Sequence, residues 1–223
     1  MDKVDVKCPV CRHEGKFEVH SNVEANKDSD LKKKILTGEL FTYICPVCNN
    51  RVNINYGMLY RDDEKKFMAK IAVDELEFEQ ARQTFGEIDK IENEQIRKVM
   101  APLLDYDKRI VINWQNLAEK IMIKDAGLDD KVIELIKVLY VQAFYKQNPD
   151  KEVVAVHFAQ NSGDNYIVFV AKDQNYTMPV TDNLYKKLEG QLSKMEKADD
   201  LVVDLRWADQ TFKKLIEEDK KRN

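Results

Sequence analysis

The chain has 223 residues, 36 of them basic and 40 acidic, with 43% hydrophobic content and only seven glycines and five prolines. That composition excludes a disordered chain and leaves room for one large or two small domains, while no apolar run approaches the ~18 residues of a membrane span. Residues 1–73 carry 13 basic against 11 acidic side chains and the remainder 23 against 29, so neither part offers the clustered positive surface on which non-specific nucleic-acid binding rests.

In chain order, Lys3 to Lys7 alternates valine with charge and reads as a strand entering Cys8-Pro9-Val10-Cys11, a turn that Gly15 ends. Lys16 to Val23 alternates again, with Phe17, Val19 and Val23 on one face, and predicts a second strand. Asp28-Ser29-Asp30 supplies capping oxygens for a helix with Leu31, Ile35 and Leu36 on one side, closed by Gly38. Its triplet Lys32-Lys33-Lys34 reads as a solvated face. Leu40 to Ile44 predicts a strand entering Cys45-Pro46-Val47-Cys48, and Arg51 to Tyr56 one leaving it. Asp62-Asp63-Glu64 marks a turn, after which Phe67 to Val73 returns as a further strand. The 33 residues from Arg12 to Ile44 exceed what a plain ribbon needs and imply a helix-bearing insertion. A recognition surface is expected on that insertion or around Tyr56, Leu59 and Tyr60.

The four cysteines are the only ones in the chain and form two copies of one tetrapeptide. A C-x2-C turn lets two thiolates bite one ion, and two such turns complete the all-sulfur tetrahedron that zinc prefers. The proline presets φ for the turn, and the turn aims backbone N–H groups at sulfur. Asn49 and Asn50 follow the last ligand, and Asn tolerates a left-handed backbone. Two disulfides, or an iron site of the rubredoxin kind, are the competing readings of the same residues. A shell of three sulfurs and the His13 imidazole is a further variant. No leader is read at the start of the chain and thiolate ligands need a reducing compartment, so the expected address is the cytoplasm.

Both tetrapeptides, together with Leu31-Lys-Lys-Lys-Ile-Leu-Thr-Gly-Glu-Leu-Phe41 and Met58-Leu-Tyr-Arg-Asp-Asp-Glu-Lys-Lys-Phe-Met68, resemble the bacterial CpXC domain family. The likeness is close over residues 1 to about 75. Arg109 to Val111, Glu119 to Ile121 and Ala126 to Lys137 look like the downstream part of such proteins. The resemblance implies a zinc-ribbon-like domain with Cys8, Cys11, Cys45 and Cys48 as metal ligands, and it implies no known activity.

From residue 74 the texture changes. Asp74 to Met100 is rich in Glu, Gln and Lys, with Leu76, Phe78, Phe85, Ile88, Ile91, Ile96 and Val99 at helical intervals, which predicts one or two helices with Gly86 as a break and Pro102 as a stop. Arg109 to Ile112 is extended in character. Asn113 caps a helix to Asp125 with Trp114, Leu117 and Ile121 as its stripe, and Ala126 to Asp130 is a helix–helix corner, with Gly127 left-handed and Asp129 or Asp130 as the next cap. That corner is read as structural, because no histidine or second acidic pair is spaced near it. The following helix runs from Lys131 to Lys146, facing a core with Val132, Leu135, Ile136, Leu139 and Ala143. Glu152 to Phe158, Tyr166 to Ala171 and Asn175 to Val180 predict an antiparallel meander around a turn at Asn161–Asn165. Thr181 or Asp182 caps a helix carrying Leu184, Leu188, Leu192 and Met195; Leu201 to Leu205 begins the last helix or forms a strand, and Trp207, Phe212 and Leu215 belong to that helix.

The expected class is α+β: a zinc-ribbon-like module over 1–75, then an α+β domain over 76–223 with helices to about 147, strands from about 152 to 180 and closing helices. No catalytic constellation is legible. His13, His20 and His157 join no nucleophile or metal motif, the glycines form no phosphate loop, and four sulfur ligands leave zinc no open position for water. The favoured reading is a structural-zinc protein with a binding, scaffolding or regulatory role and a protein partner. The alternative is a nucleic-acid-associated regulator, at odds with the acidic balance. An enzyme would need polar residues gathered in a C-terminal pocket.

Overall fold

The computed structural model describes residues 2–89, 95, 103–195 and 200–222. The chain is α+β and divides into two compact units, Met1–Ala118 and Glu119–Asn223.

In the first unit, β1 (Asp2–Lys7) and β2 (Glu14–Val19) form one antiparallel hairpin, and β4 (Thr42–Ile44) and β5 (Arg51–Asn53) form another. Each hairpin carries one of the cysteine tetrapeptides at its turn. Between them, β3 (Asn22–Glu24) starts a four-stranded sheet of order β3-β6-β7-β8, with β6 (Met58–Asp62), β7 (Phe67–Ile71) and β8 (Asp107–Val111). The β6–β7 pair is antiparallel and the outer pairs are parallel. The single strand expected over Lys16 to Val23 is thus two, because β2 serves its hairpin while β3 pairs with β6. The strand expected over Leu40 to Ile44 begins instead as a 3-10 turn at Glu39–Phe41, and the one over Arg51 to Tyr56 ends at Asn53.

Helix α1 (Ser29–Thr37) is the predicted insertion helix. Gly38 closes it at φ 73° and donates its N–H to Ile35 O; a Cβ there would also lie 2.4 Å from the Trp114 ring, which stacks on Phe41. Lys32 of the basic triplet does not lie on a fully solvated face: it is only partly exposed, and its ammonium sits 3.2 Å from the buried Asp62 carboxylate. Tyr60, expected near a recognition surface, is fully buried on β6 and donates its hydroxyl to Asp62. Helix α2 (Glu75–Asp89) runs through Gly86 without a break, and the pattern expected at Ile91, Ile96 and Val99 lies outside the described residues.

Helix α3 (Trp114–Asp125) contains the division between the units. The second unit continues with α4 (Asp130–Gln147) and an antiparallel meander of β9 (Val153–Asn161), β10 (Asp164–Ala171) and β11 (Asn175–Pro179), in the order β11-β10-β9. It closes with α5 (Asp182–Leu192) and α6 (Leu205–Arg222). The corner before α4 has the predicted form, with Gly127 at φ 72° and the N–H groups of Gly127 and Leu128 donating to Lys124 O and Ile123 O. The core gathers Val132, Ile133, Leu135 and Ile136 of α4, Phe158, Ile167 and Phe169 of the sheet, and Leu188 and Leu215 of the closing helices. Leu201 to Asp204 is not a strand; Asp204 accepts from Trp207 N–H at 2.8 Å where α6 begins.

Candidate metal centre

The two hairpins bring their turns together in matching geometry. In the first, Arg12 N–H donates to Cys8 O and Cys8 N–H to His13 O; in the second, Asn49 N–H donates to Cys45 O and Cys45 N–H to Asn50 O, all four at 2.9 Å. The residue after each second cysteine is left-handed, Arg12 at φ 61° and Asn49 at φ 56°. Asn49 suits that conformation, whereas Arg12 adopts it because the same turn demands it.

Cys8 and Cys45 are buried with Val6 and Tyr43 in a small core that Phe17, Val52 and Ile54 pack against, while Cys11 and Cys48 reach the surface. Gly15 matters here for close approach rather than for φ: a Cβ on it would lie 2.2 Å from the Tyr43 hydroxyl. Burial and then the charge of Cys45 and Cys8 raise the pKa of Tyr43, which keeps the phenol neutral beside the sulfurs.

The four sulfurs all lie within 4.8 Å of one another, with Cys8 to Cys48 at 3.6 Å and Cys11 to Cys45 at 3.4 Å. All four are free thiols, far beyond the ~2.05 Å of a disulfide bond. Bonds of about 2.3 Å to a tetrahedral ion space sulfur ligands about 3.8 Å apart, so the cluster fits one such ion. His13 is not among the converging groups.

The electrostatics favour a cation. The Cys11 N–H and then the Val10 N–H hold Cys8 down at about 6 against burial. Burial works against ionisation of Cys45 too, yet the N–H groups of Cys48 and Val47 keep its pKa below the ordinary thiol range. For Cys11 the His13 N–H favours the thiolate, but burial and the neighbouring sulfurs push it up to about 12. Cys48 is likewise raised, the Asn50 N–H being outweighed by burial and by the nearby Cys8 and Cys45 sulfurs. Backbone N–H groups thus favour ionisation at Cys8 and Cys45, while burial and the neighbouring sulfurs oppose it at Cys11 and Cys48, an opposition that a divalent ion among the four would relieve.

The second unit contains a group of charged residues that sequence reasoning missed. Lys137 lies 2.6 Å from Glu119 and 3.0 Å from Glu134; Lys120 lies 3.1 Å from Glu134 and 3.0 Å from Asp130. Glu119 also accepts the backbone N–H of Phe158 at 2.5 Å. These five residues are 0–5% exposed, so the network is closed to a substrate. Asp129 caps α4 as expected, accepting from Lys131 N–H, but Asp130 enters the network, and Glu119 and Glu134 are the acidic partners that linear spacing did not reveal. A signal was present: Val132, Ile133, Leu135, Ile136 and Val138 cover more than one face of α4, so charges among them had to be buried as well.

A scan against family models matches the CpXC protein family over residues 6–137, more than half of the chain and all four cysteines. The chain belongs to the CpXC family. The function of that family is unknown, and membership fixes no metal and no partner. Comparisons with curated proteins and with solved structures find no match. The CpXC match extends beyond the two hairpins to the end of the Glu134–Lys137 pair on α4.

Proposed function

We propose that Cys8, Cys11, Cys45 and Cys48 hold one structural zinc ion and that the protein acts by binding, as a scaffold or regulator with a protein partner. The observation that carries this reading is the convergence of four sulfurs, two of them buried, from two hairpins of matching turn geometry. A four-sulfur shell leaves zinc no open coordination position, so the ion folds its surroundings and turns nothing over. The metal-organised module is read as residues 1–75, and free thiolate ligands suit a reducing compartment such as the cytoplasm. No helix among the described residues is long and apolar enough to cross a membrane.

Metal analysis of the purified protein tests the first half of the reading: one zinc per chain is expected, and iron or no metal refutes it. Affinity capture from the native cells tests the second, with a reproducible protein partner expected. The nucleic-acid reading predicts a salt-sensitive shift of generic DNA or RNA at low micromolar protein. The ion pair between Lys32 and Asp62 weakens it, because it turns one of the three clustered lysines inward.

A further inference from the structure

Four cysteines allow three pairings, and two short sulfur approaches favour one of them. The sulfurs placed for bonding are Cys8 with Cys48 at 3.6 Å and Cys11 with Cys45 at 3.4 Å, both across the two hairpins. Each of these pairs joins one buried sulfur to one that reaches the surface. The partners within a tetrapeptide also lie within 4.8 Å, but on a turn whose shape is held by backbone bonds, Arg12 N–H to Cys8 O and Asn49 N–H to Cys45 O. Bonding across the hairpins needs a sulfur approach of roughly 1.5 Å to reach disulfide length, with both turns kept intact.

We propose that the centre is a site of oxidative modification by hydroperoxides, in which the bound ion is exchanged for two disulfides, Cys8–Cys48 and Cys11–Cys45, that join the same two hairpins. The release of metal rests on the reading of the centre as a zinc site; the pairing rests on the sulfur positions alone. In the metal-loaded centre, where ligation would keep all four sulfurs deprotonated, the surface thiolate of Cys11 attacks the terminal peroxide oxygen, the O–O bond breaks, and the departing alkoxide takes up a proton to leave as alcohol, or as water when the oxidant is hydrogen peroxide. Cys11 is then a sulfenic acid. The Cys45 thiolate attacks its sulfur, the S–O bond breaks, and hydroxide leaves with a proton as water. Cys48 and Cys8 repeat the sequence with a second peroxide. Each pair gives up two electrons to one peroxide and consumes two protons, and with its thiolate ligands gone the divalent ion is released. The hairpins stay tied together throughout, so the modified module keeps its fold and a thiol reductant reverses the exchange.

The test uses the full-length, metal-loaded protein. Metal content is measured first, then two equivalents of hydrogen peroxide are added while a chromogenic chelator reports free ion. Non-reducing tryptic digestion followed by fragmentation before Pro9 and Pro46 assigns the sulfur pairs. The expected result is a cross-linked pair of peptides, Cys8–Arg12 with Ile35–Arg51, bonded 8–48 and 11–45, with one ion released per chain and rebound after reduction. Disulfides within each tetrapeptide, the alternative crossed pairing, or sulfinic acid without disulfide overturns the proposal, as does full retention of the ion after complete thiol oxidation. A protein that holds no metal at the outset refutes the zinc reading, and the peptide map still decides the pairing.

Discussion

Replacing Lys137 by Met tests the buried ionic network of the second unit. The Lys137 side chain is 3% exposed and its ammonium serves two carboxylates, Glu119 at 2.6 Å and Glu134 at 3.0 Å. After the substitution Glu134 keeps Lys120 at 3.1 Å, but Glu119 is left with the Phe158 N–H as its described partner. Removing one member of a buried pair costs about 3–5 kcal/mol, because the other charge remains desolvated, and that is roughly a hundred- to several-thousand-fold in the folding equilibrium. Urea unfolding, followed through Trp207 in a Trp114→Phe background, reads the change in this unit. The double variant Glu119→Gln, Lys137→Met should recover at least about 1 kcal/mol relative to the sum of the single changes, since it removes the stranded charge. A loss below about 1 kcal/mol with an unchanged denaturant slope, together with additive single effects, would show that the network contributes little and that the reasoning from burial is wrong.

Acid should weaken the same unit. Burial opposes ionisation of Glu134, but the charges of Lys137 and Lys120 outweigh it and lower its pKa. A carboxyl depressed in the folded state contributes stability above its unfolded pKa and loses it as pH falls through the folded one. The urea midpoint should therefore decline below about pH 4.3, less steeply in Glu134→Gln. Cys45→Ser should abolish stoichiometric metal binding and melt the hairpins of the first unit while the α4 and meander amides keep their exchange protection, because metal ligation supplies about 10–16 kcal/mol to comparable small sites; retention of full metal content would contradict the ligand assignment. Gly38→Ala meets both a left-handed backbone and the Trp114 ring at 2.4 Å, so thermal unfolding of the first unit should move down by an amount equivalent to at least about 1 kcal/mol. Gly127→Ala, with open space around the added Cβ, should pay only the smaller backbone part of that penalty.

What was legible in the sequence is what local chemistry dictates. The left-handed Asn49, the closing Gly38 and Gly127 and the Asp129 cap each follow from residues within a turn of themselves, and the four cysteines follow from spacing. Contacts between distant segments were not legible. Residues 16–23 alternate as one strand would, yet they divide because β3 finds its partner in β6, some 37 positions away by register. Tyr60 read as a surface aromatic and became core because β6 is an interior strand of its sheet. The pairing of Glu119, Lys120, Glu134 and Lys137 leaves no mark in linear spacing, and only the arrangement of α3, α4 and β9 shows that they satisfy one another.

The hold of Glu119 on Phe158 reaches beyond the energy of one hydrogen bond. Strand β9 is one of the two edge strands of its meander, a position where a neighbouring molecule would otherwise dock backbone to backbone. With that amide engaged by a carboxylate that Lys137 anchors, a newcomer finds a donor already taken, and claiming it would mean prising apart a sealed ion pair. At Phe158, extension of this sheet past β9 has to displace a carboxylate first.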